Sequence, residues 1–451
     1  MLAGLACLFL VVLDAHRPRQ RGFASARIFV AGAWALCWLA YGLNLTKFPH
    51  PDWRTLLLLA VGCGGSLLMV PAPSGEAPRL QPWVFGRTSR IVTGFLVTIL
   101  MFVIAWEAAH FVMKISAYGW TMALKIHRMD RSNETGGFGL PGAEVLRGIA
   151  CAVGILGFAR WRVGRRGSDL AIAALGFVVA VLGTGRWDIT NYSIWLFLVA
   201  AFLGRQVADW RWNLRAAVFV VVLGVMFVGH GEIFGKNEHA AYLAALPEAD
   251  RVRAAGMLVA STPKAPDTPA VKPDCDRWKN VQASNERFKS FRPAVTSLLL
   301  YTAGPFAALD HDICKPPARV RHVIFYWPLK ILREAGVRKE TAVLGVDPFV
   351  DIGVPFNNYS VMYPFINEIG LWFGPILWLV VALVVRGFSS MVGATGHPAL
   401  IVAAAAPLSM AMRTPWSNTF FDGTLCVWIA VAMIYWWAAD RDRRLAPDAP
   451  R

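Results

Sequence analysis

Four short stretches of this chain hold residue types able to do chemistry. In GTGRWDITN, Arg186 follows a glycine-rich turn at the end of an apolar run, and Arg413 in MRTPWSN has the corresponding place at the end of a later run. An arginine facing lipid costs about 2.5–3.5 kcal/mol, so each should turn inward and meet an anion. Arg186 either pairs with its neighbour Asp188 or simply snorkels, or its guanidinium fork grips a pyrophosphate, and Arg413 invites the same two readings. The third stretch is VPFNNYSVMYPFINEIGLWFG (354–374). Read as one continuous helix, it puts Asn357, Asn358 and Tyr359 at a mouth. Asn367 and Glu368 then lie two to three turns further in, at ~1.5 Å per residue. A carboxylate flanked by Phe365, Ile366, Ile369 and Leu371 is either a general base or half of an interhelical ion pair. The fourth stretch is Asp310-His311-Asp312, whose two carboxylates and imidazole can move protons, but whose adjacent spacing is a weak metal signal.

Other candidates are weaker. GHGEIFGKN (229–237) fails as a phosphate loop: the spacing from Gly229 is one residue too long, and Asn237 stands where a Ser or Thr would hold magnesium. Lys289, Arg292, Arg319, Arg321 and Lys330 lie among Phe288, Phe291, Phe325, Tyr326 and Trp327. Aromatic faces with cationic donors suit sugar rings and phosphates, and equally suit a surface resting on anionic lipid headgroups.

The elements that must position these residues are apolar helices. The 451-residue chain is 56% hydrophobic and only 16% charged, so its apolar excess must face something other than water. Its net charge of +16 is held in short arginine runs between apolar stretches, which argues for loops at a membrane surface and against a nucleic-acid partner. Apolar runs near 1–14, 28–46, 54–71, 91–113, 142–160, 169–184, 189–204, 215–230, 360–386, 398–412 and 420–438 predict an all-α bundle of about eleven spans. Residues 1–13 have no preceding basic residue and no small-residue cleavage site, so the expectation is a span, either short and snorkelled or lacking a few upstream residues, rather than a cleaved leader.

Alternate short loops differ in charge. One set carries Arg17, Arg19 and Arg21; Arg79, Arg87 and Arg90; Arg160, Arg162, Arg165 and Arg166; Arg205 and Arg211; Arg386; and Arg441, Arg443 and Arg444. The other set, which includes Arg186 and Arg413, is poor in cations except around 114–141. The positive-inside rule puts the first set and the C-terminus in the cytoplasm, and the N-terminus outside. The expected organisation is residues 1–230 with about eight spans, a periplasmic loop region 231–359, residues 360–440 with about three spans, and a cytoplasmic tail 441–451. Within the loop region, 261–274 is a Pro-rich linker, while 296–309 and 322–332 are apolar enough to lie in the interface or re-enter the membrane. Cys7, Cys37, Cys63, Cys151 and Cys426 read as small buried hydrophobes. Cys275 and Cys314 share the outer segment and could close a disulfide worth about 4 kcal/mol at most.

Taken in order, GTGRWDI, then LLLYTAGPFAALD (298–310), then FNNYSVMYPFINEIGLWFG resemble the Wzy-type oligosaccharide repeat-unit (O-antigen) polymerases over residues 180–380. Asn358, Glu368, Gly370 and Gly374 are similar to that family's Asn-x-Tyr/Thr segment followed by an acidic residue and two glycines. Where the family more often has Asp-Phe-Gly, this chain has Glu368-Ile369-Gly370, which keeps the charge. The resemblance implies polymerisation of undecaprenyl-pyrophosphate-linked repeat units at the periplasmic face of the bacterial inner membrane, without metal or cofactor. It implies Arg186 and Arg413 on pyrophosphate, joined by Arg292, Arg319 and Arg321. Glu368, or Asp310 with His311, would be the base, and Asn357, Asn358, Tyr359 and Tyr301 would hold sugar. A chain-length regulator and a flippase are the implied protein partners. The glycan is left open between lipopolysaccharide side chain, capsule and exopolysaccharide. Two rivals share the hydropathy: an O-antigen ligase, and a flippase or other transporter. The absence of internal repeats weighs against the transporter.

A reporter fused after residue 280 is expected to show extra-cytoplasmic activity. Cytoplasmic activity at that fusion would reverse the sidedness.

Overall fold

The structure is a computed structural model. It describes residues 1–16, 23–44, 48–71, 80–81, 83, 86–120, 123, 127, 143–182, 186–203, 218, 222, 278, 293–314, 350–351, 355–356, 360–415 and 423–445. Twelve helices form among them: α1 (Leu2–His16), α2 (Phe23–Gly42), α3 (Trp53–Met69), α4 (Arg87–Tyr118), α5 (Ala143–Gly164), α6 (Gly167–Leu182), α7 (Arg186–Phe202), α8 (Pro293–Cys314), α9 (Met362–Ile369), α10 (Phe373–Thr395), α11 (Pro398–Ala411) and α12 (Gly423–Leu445). A two-residue antiparallel ladder, β1 (Val350–Asp351) with β2 (Pro355–Phe356), lies against α8. Among the described residues the fold is all-α apart from this ladder. Ten of the eleven apolar runs became helices; for the run 215–230, only Val218 and Val222 fall within the described residues.

Among the described residues, two helices are long and apolar enough to cross a membrane, Arg87–Tyr118 and Phe373–Val392, and only 22% of each apolar window is buried. Ile91, Phe95 and Phe102 on α4 and Ile376, Leu383 and Val384 on α10 leave large apolar side chains exposed. Exposed rows of large apolar side chains of this kind mark contact with an apolar phase or a partner.

At the centre stands α11, PALIVAAAAPLSMA, every residue of which is buried. A helix apolar on all sides has no solvent face to offer. It is surrounded by α2, α3, α5, α7, α10 and α12. Close approach elsewhere depends on small residues. A Cβ at Gly154 of α5 would lie 2.7 Å from the Gly176 Cα of α6, so these helices meet backbone to backbone. The Tyr192 hydroxyl fits beside that contact and donates to the Ala173 carbonyl at 2.8 Å.

The bundle has two distinct poles. At one, the Asp442 carboxylate accepts from the backbone N–H groups of Thr88 (3.0 Å) and Ser89 (2.7 Å). Arg160 joins Asp169 at 2.8 Å and donates to the Tyr435 hydroxyl at 2.7 Å, and Arg443 donates to Gln81 at 2.6 Å. Here burial tends to raise the Asp442 pKa, but the hydrogen bonds from Ser89 and Thr88 win and lower it to about 2. At the opposite pole, the end of α2 and the start of α3 lie near the Asp310 end of α8. Phe29, early in α2, meets Phe197, late in α7, with ring centroids 5.0 Å apart. These two helices are therefore antiparallel, and α7 opens at the Trp53 pole. Arg87 and Arg90 of α4, Arg160 and Arg162 of α5, and Arg441, Arg443 and Arg444 of α12 thus gather at the Asp442 pole, away from Arg186, whereas Arg147 stands at the other end of α5.

One expected span is corrected. Residues 360–386 are not one helix, because α9 ends at Ile369, Gly370 takes φ +100°, and α10 starts afresh at Phe373. Gly374 sits against the Phe365 carbonyl, where a Cβ would come within 2.5 Å, so α9 folds back antiparallel along α10. Glycine alone of the residue types adopts that φ freely.

The α11 N-cap supplies a pH test. His397 Nδ1 accepts from the Ala399 N–H at 3.2 Å. Burial, then the Arg443 cation, lower the His397 pKa to about 4, against an opposing pull from Asp440. The unfolded value is about 6.5, so this contribution to stability is full above that pH and is lost as pH falls toward 4. Thermal melting in detergent is expected to drop over that window, and His397→Asn, which keeps a cap acceptor without titrating, should flatten the drop. An unchanged slope in that variant would contradict the assignment.

Candidate functional site

The end of α11 builds the polar interior. Beyond Ala411 the chain turns: Arg413 N–H donates to Met410 O (2.9 Å), and the Thr414 hydroxyl donates to Ala411 O (2.7 Å). Trp34 Nε1 of α2 donates to Thr414 Oγ1 at 3.0 Å, and Ser66 Oγ of α3 lies 2.7 Å from it. Ser66 is thirteen residues into α3, so this junction lies roughly 20 Å below the helix start at 1.5 Å per residue. Thr414 O accepts the backbone N–H of Val361 at 2.8 Å, which ties the start of α9 to the end of α11. Ser360, Val361 and Met362 are wholly buried there.

Arg413 is 2% exposed, and its guanidinium donates to the Asn191 side-chain oxygen and contacts the Met410 sulfur at 3.6 Å. Asn191 belongs to α7, five residues after Arg186 opens that helix. Five residues rise about 7.5 Å. Two arginines separated by more than two hundred residues in sequence are thereby assigned to neighbouring elements. The Arg186 side chain itself is outside the described residues.

Because α9 folds back, the depth order expected within 354–374 is inverted. Glu368 lies at the Gly370 turn, toward the Trp53 pole, and the chain near Ser360 is the deep part. Glu368 is half-buried. Beside its turn, Trp53, Arg54, Leu57, Leu371, Trp372 and Pro375 line a small apolar cavity of about 110 Å³ between α3 and α10.

Asp310 has a different setting. It is fully buried, and its Oδ1 accepts from the Asp52 N–H (2.9 Å) and the Thr55 hydroxyl (2.7 Å), while its Oδ2 accepts from Trp278 Nε1 (3.0 Å). Asp52 also caps α3 through the Arg54 N–H at 2.8 Å. Two carboxylates at one helix N-terminus match its positive dipole end. This geometry makes Asp310 the anchor between α8 and α3. His311 packs its ring against Trp278 at 5.3 Å. Successive residues on a helix diverge by about 100°, so Asp310, His311 and Asp312 do not converge on one point. The expected apolar piece at 296–309 is part of α8. Instead of lying flat, it enters the bundle, where Phe306 meets Trp34, Trp38 and Tyr41. Tyr301, half-buried, lies on the same helix.

Arg292, Arg319, Arg321, Asn357, Asn358, Tyr359 and Cys275 lie outside the described residues. Cys314 is buried at the end of α8, one turn after Asp310. The sequence reading missed Asn191, Thr414, Ser66 and Trp34. The polar pair Thr190-Asn191 interrupting an apolar run was the available signal, since polar groups at such depth need a partner. It also missed Glu107, buried in α4 and paired with Arg147.

Comparison of the chain with protein-family models, curated proteins and solved structures finds no match to any of them.

Asp310→Ala would strand three donors, those of Thr55 and Trp278 buried and that of Asp52 partly so, and is expected to cost roughly 3 kcal/mol or more, read as a lower melting temperature. Asp310→Asn, which retains one acceptor, should cost less. An Asp310→Asn protein of full stability and no activity would instead identify Asp310 as the base.

Proposed function

We propose that this chain is a multi-pass glycosyltransferase of the bacterial inner membrane that polymerises undecaprenyl-pyrophosphate-linked repeat units at the periplasmic face. Its N-terminus is periplasmic and its C-terminus cytoplasmic. The observation that carries this reading is the seating of Arg413 against α7, the helix that opens at Arg186. Two cationic forks on adjacent elements suit a pyrophosphate better than either does alone.

Further support comes from the poles. Arginine-rich ends gather on one side, as the positive-inside rule asks of a cytoplasmic face. The end of α8, inside the long outer segment, reaches the opposite pole through Asp310 and Asp52. That pole is where α7 opens, so a periplasmic lipid-linked donor and Arg186 would share a compartment.

In the proposed reaction, an acceptor hydroxyl on the incoming unit attacks the anomeric carbon of the growing glycan. The bond from that carbon to the pyrophosphate oxygen breaks, and the carrier leaves as undecaprenyl pyrophosphate. Arg186 and Arg413 stabilise the charge on the departing group. Glu368, at the turn nearest the pole, takes the hydroxyl proton. Asp310 is left as scaffold.

The test uses purified protein in vesicles supplied with single-unit lipid carrier on the outer side. Wild type should give a ladder of polymer. Arg186→Lys and Arg413→Lys keep charge but lose the fork, and each is expected to slow elongation about 100-fold. Ladders of normal length from both variants would reduce the arginines to scaffolding. Carrier crossing the bilayer without any dimeric product would replace the polymerase by a transporter.

A further inference from the structure

A second buried polar cluster joins α4, α5 and the end of α6. Glu107, 1% exposed in mid-α4, holds Arg147 of α5 through a direct ion pair. His127, also 1% exposed, places Nε2 3.0 Å from the Leu182 carbonyl and 3.5 Å from Glu107 Oε2, and Nδ1 3.3 Å from Lys114 Nζ. Its ring meets Phe111 edge-on at 5.6 Å. An ammonium only donates, so Nδ1 facing Lys114 accepts, and the ring proton sits on Nε2. That proton is aimed at Leu182 O.

Leu182 is the last described residue of α6, and the final carbonyls of a helix lack partners within it. His127 therefore caps α6 from another part of the chain. Only residues 183–185 separate this cap from the first residue of α7. The departure point toward Arg186 is thus fixed by a side chain far from it in sequence, itself held by Glu107 and Lys114.

We propose that His127 is a positioning residue: by capping α6 at Leu182 it sets the place from which α7, and with it Arg186, starts. The consequence for activity rests on the polymerase reading, whereas the consequence for backbone protection does not. His127→Ala removes the donor. His127→Gln carries an N–H at nearly the same reach as Nε2, and His127→Asn is too short.

Hydrogen–deuterium exchange of the peptide spanning 183–195, in the full-length protein, gives the direct readout. His127→Ala and His127→Asn should exchange it faster, and His127→Gln should restore wild-type protection. Vesicle elongation should fall about tenfold to 100-fold in the first two and recover in the third, as misplacing a binding group by about 1 Å does. Wild-type exchange in His127→Ala overturns the proposal. Should that variant fail to fold, equal exchange in His127→Asn and His127→Gln overturns it instead. Altered exchange with unaltered elongation would leave the cap in place and count against the polymerase role of Arg186.

Discussion

A helix that ends inside a protein must satisfy its last backbone groups without water, and α11 meets this requirement at Thr414. Buried carbonyls left unpaired cost several kcal/mol in an apolar phase. Here Ala411 O takes the Thr414 hydroxyl, and Thr414 O takes the N–H of Val361. Trp34 and Ser66 supply the lateral contacts from α2 and α3. The folding-back of α9 follows from the same requirement. Its first turn has to reach the interior because that is where the open carbonyl lies. The antiparallel return along α10 then brings Glu368 back toward the pole.

The same junction organises the cations. Arg413 is the residue before Thr414, so the turn that completes α11 also delivers a guanidinium to Asn191 and α7. A buried arginine held by contacts to a side-chain amide and a sulfur is fixed in one orientation. The two ends of the bundle divide the remaining charge. Asp442, Asp169 and Gln81 engage backbone or arginine at one end, and the other is built from aromatic packing around Phe306 and the doubly capped start of α3.

Much of this was readable in the sequence because hydropathy reports which residues avoid water. The helix at Trp53–Met69 was expected at 54–71, and the one at Pro398–Ala411 at 398–412. Hydropathy carries no direction, however. The apolar run 360–386 looks continuous through Gly370-Leu371-Trp372, and only the positive φ of Gly370 turns it. Asp310 was visible as a carboxylate, but its partners Asp52 and Thr55 lie 258 and 255 residues away, and no local pattern announces them. The pairing of Arg413 with Asn191, 222 residues apart, is hidden for the same reason. The basic stretch 114–141, an exception to the loop charges, is partly explained by Lys114 meeting His127, whose other ring nitrogen meets the Leu182 carbonyl near buried Glu107.

The inward reach of α9 can be measured by cysteine cross-linking. A Cβ placed at Gly62 would lie 3.0 Å from the Met362 Cγ, so Gly62→Cys with Met362→Cys, in a background lacking the native cysteines, should cross-link readily under mild oxidation. A continuous helix through 360–386 would instead carry residue 362 about 16 Å beyond the start of α10, out of reach of Gly62. Absence of a cross-link between Gly62→Cys and Met362→Cys in the folded protein would contradict the re-entrant arrangement.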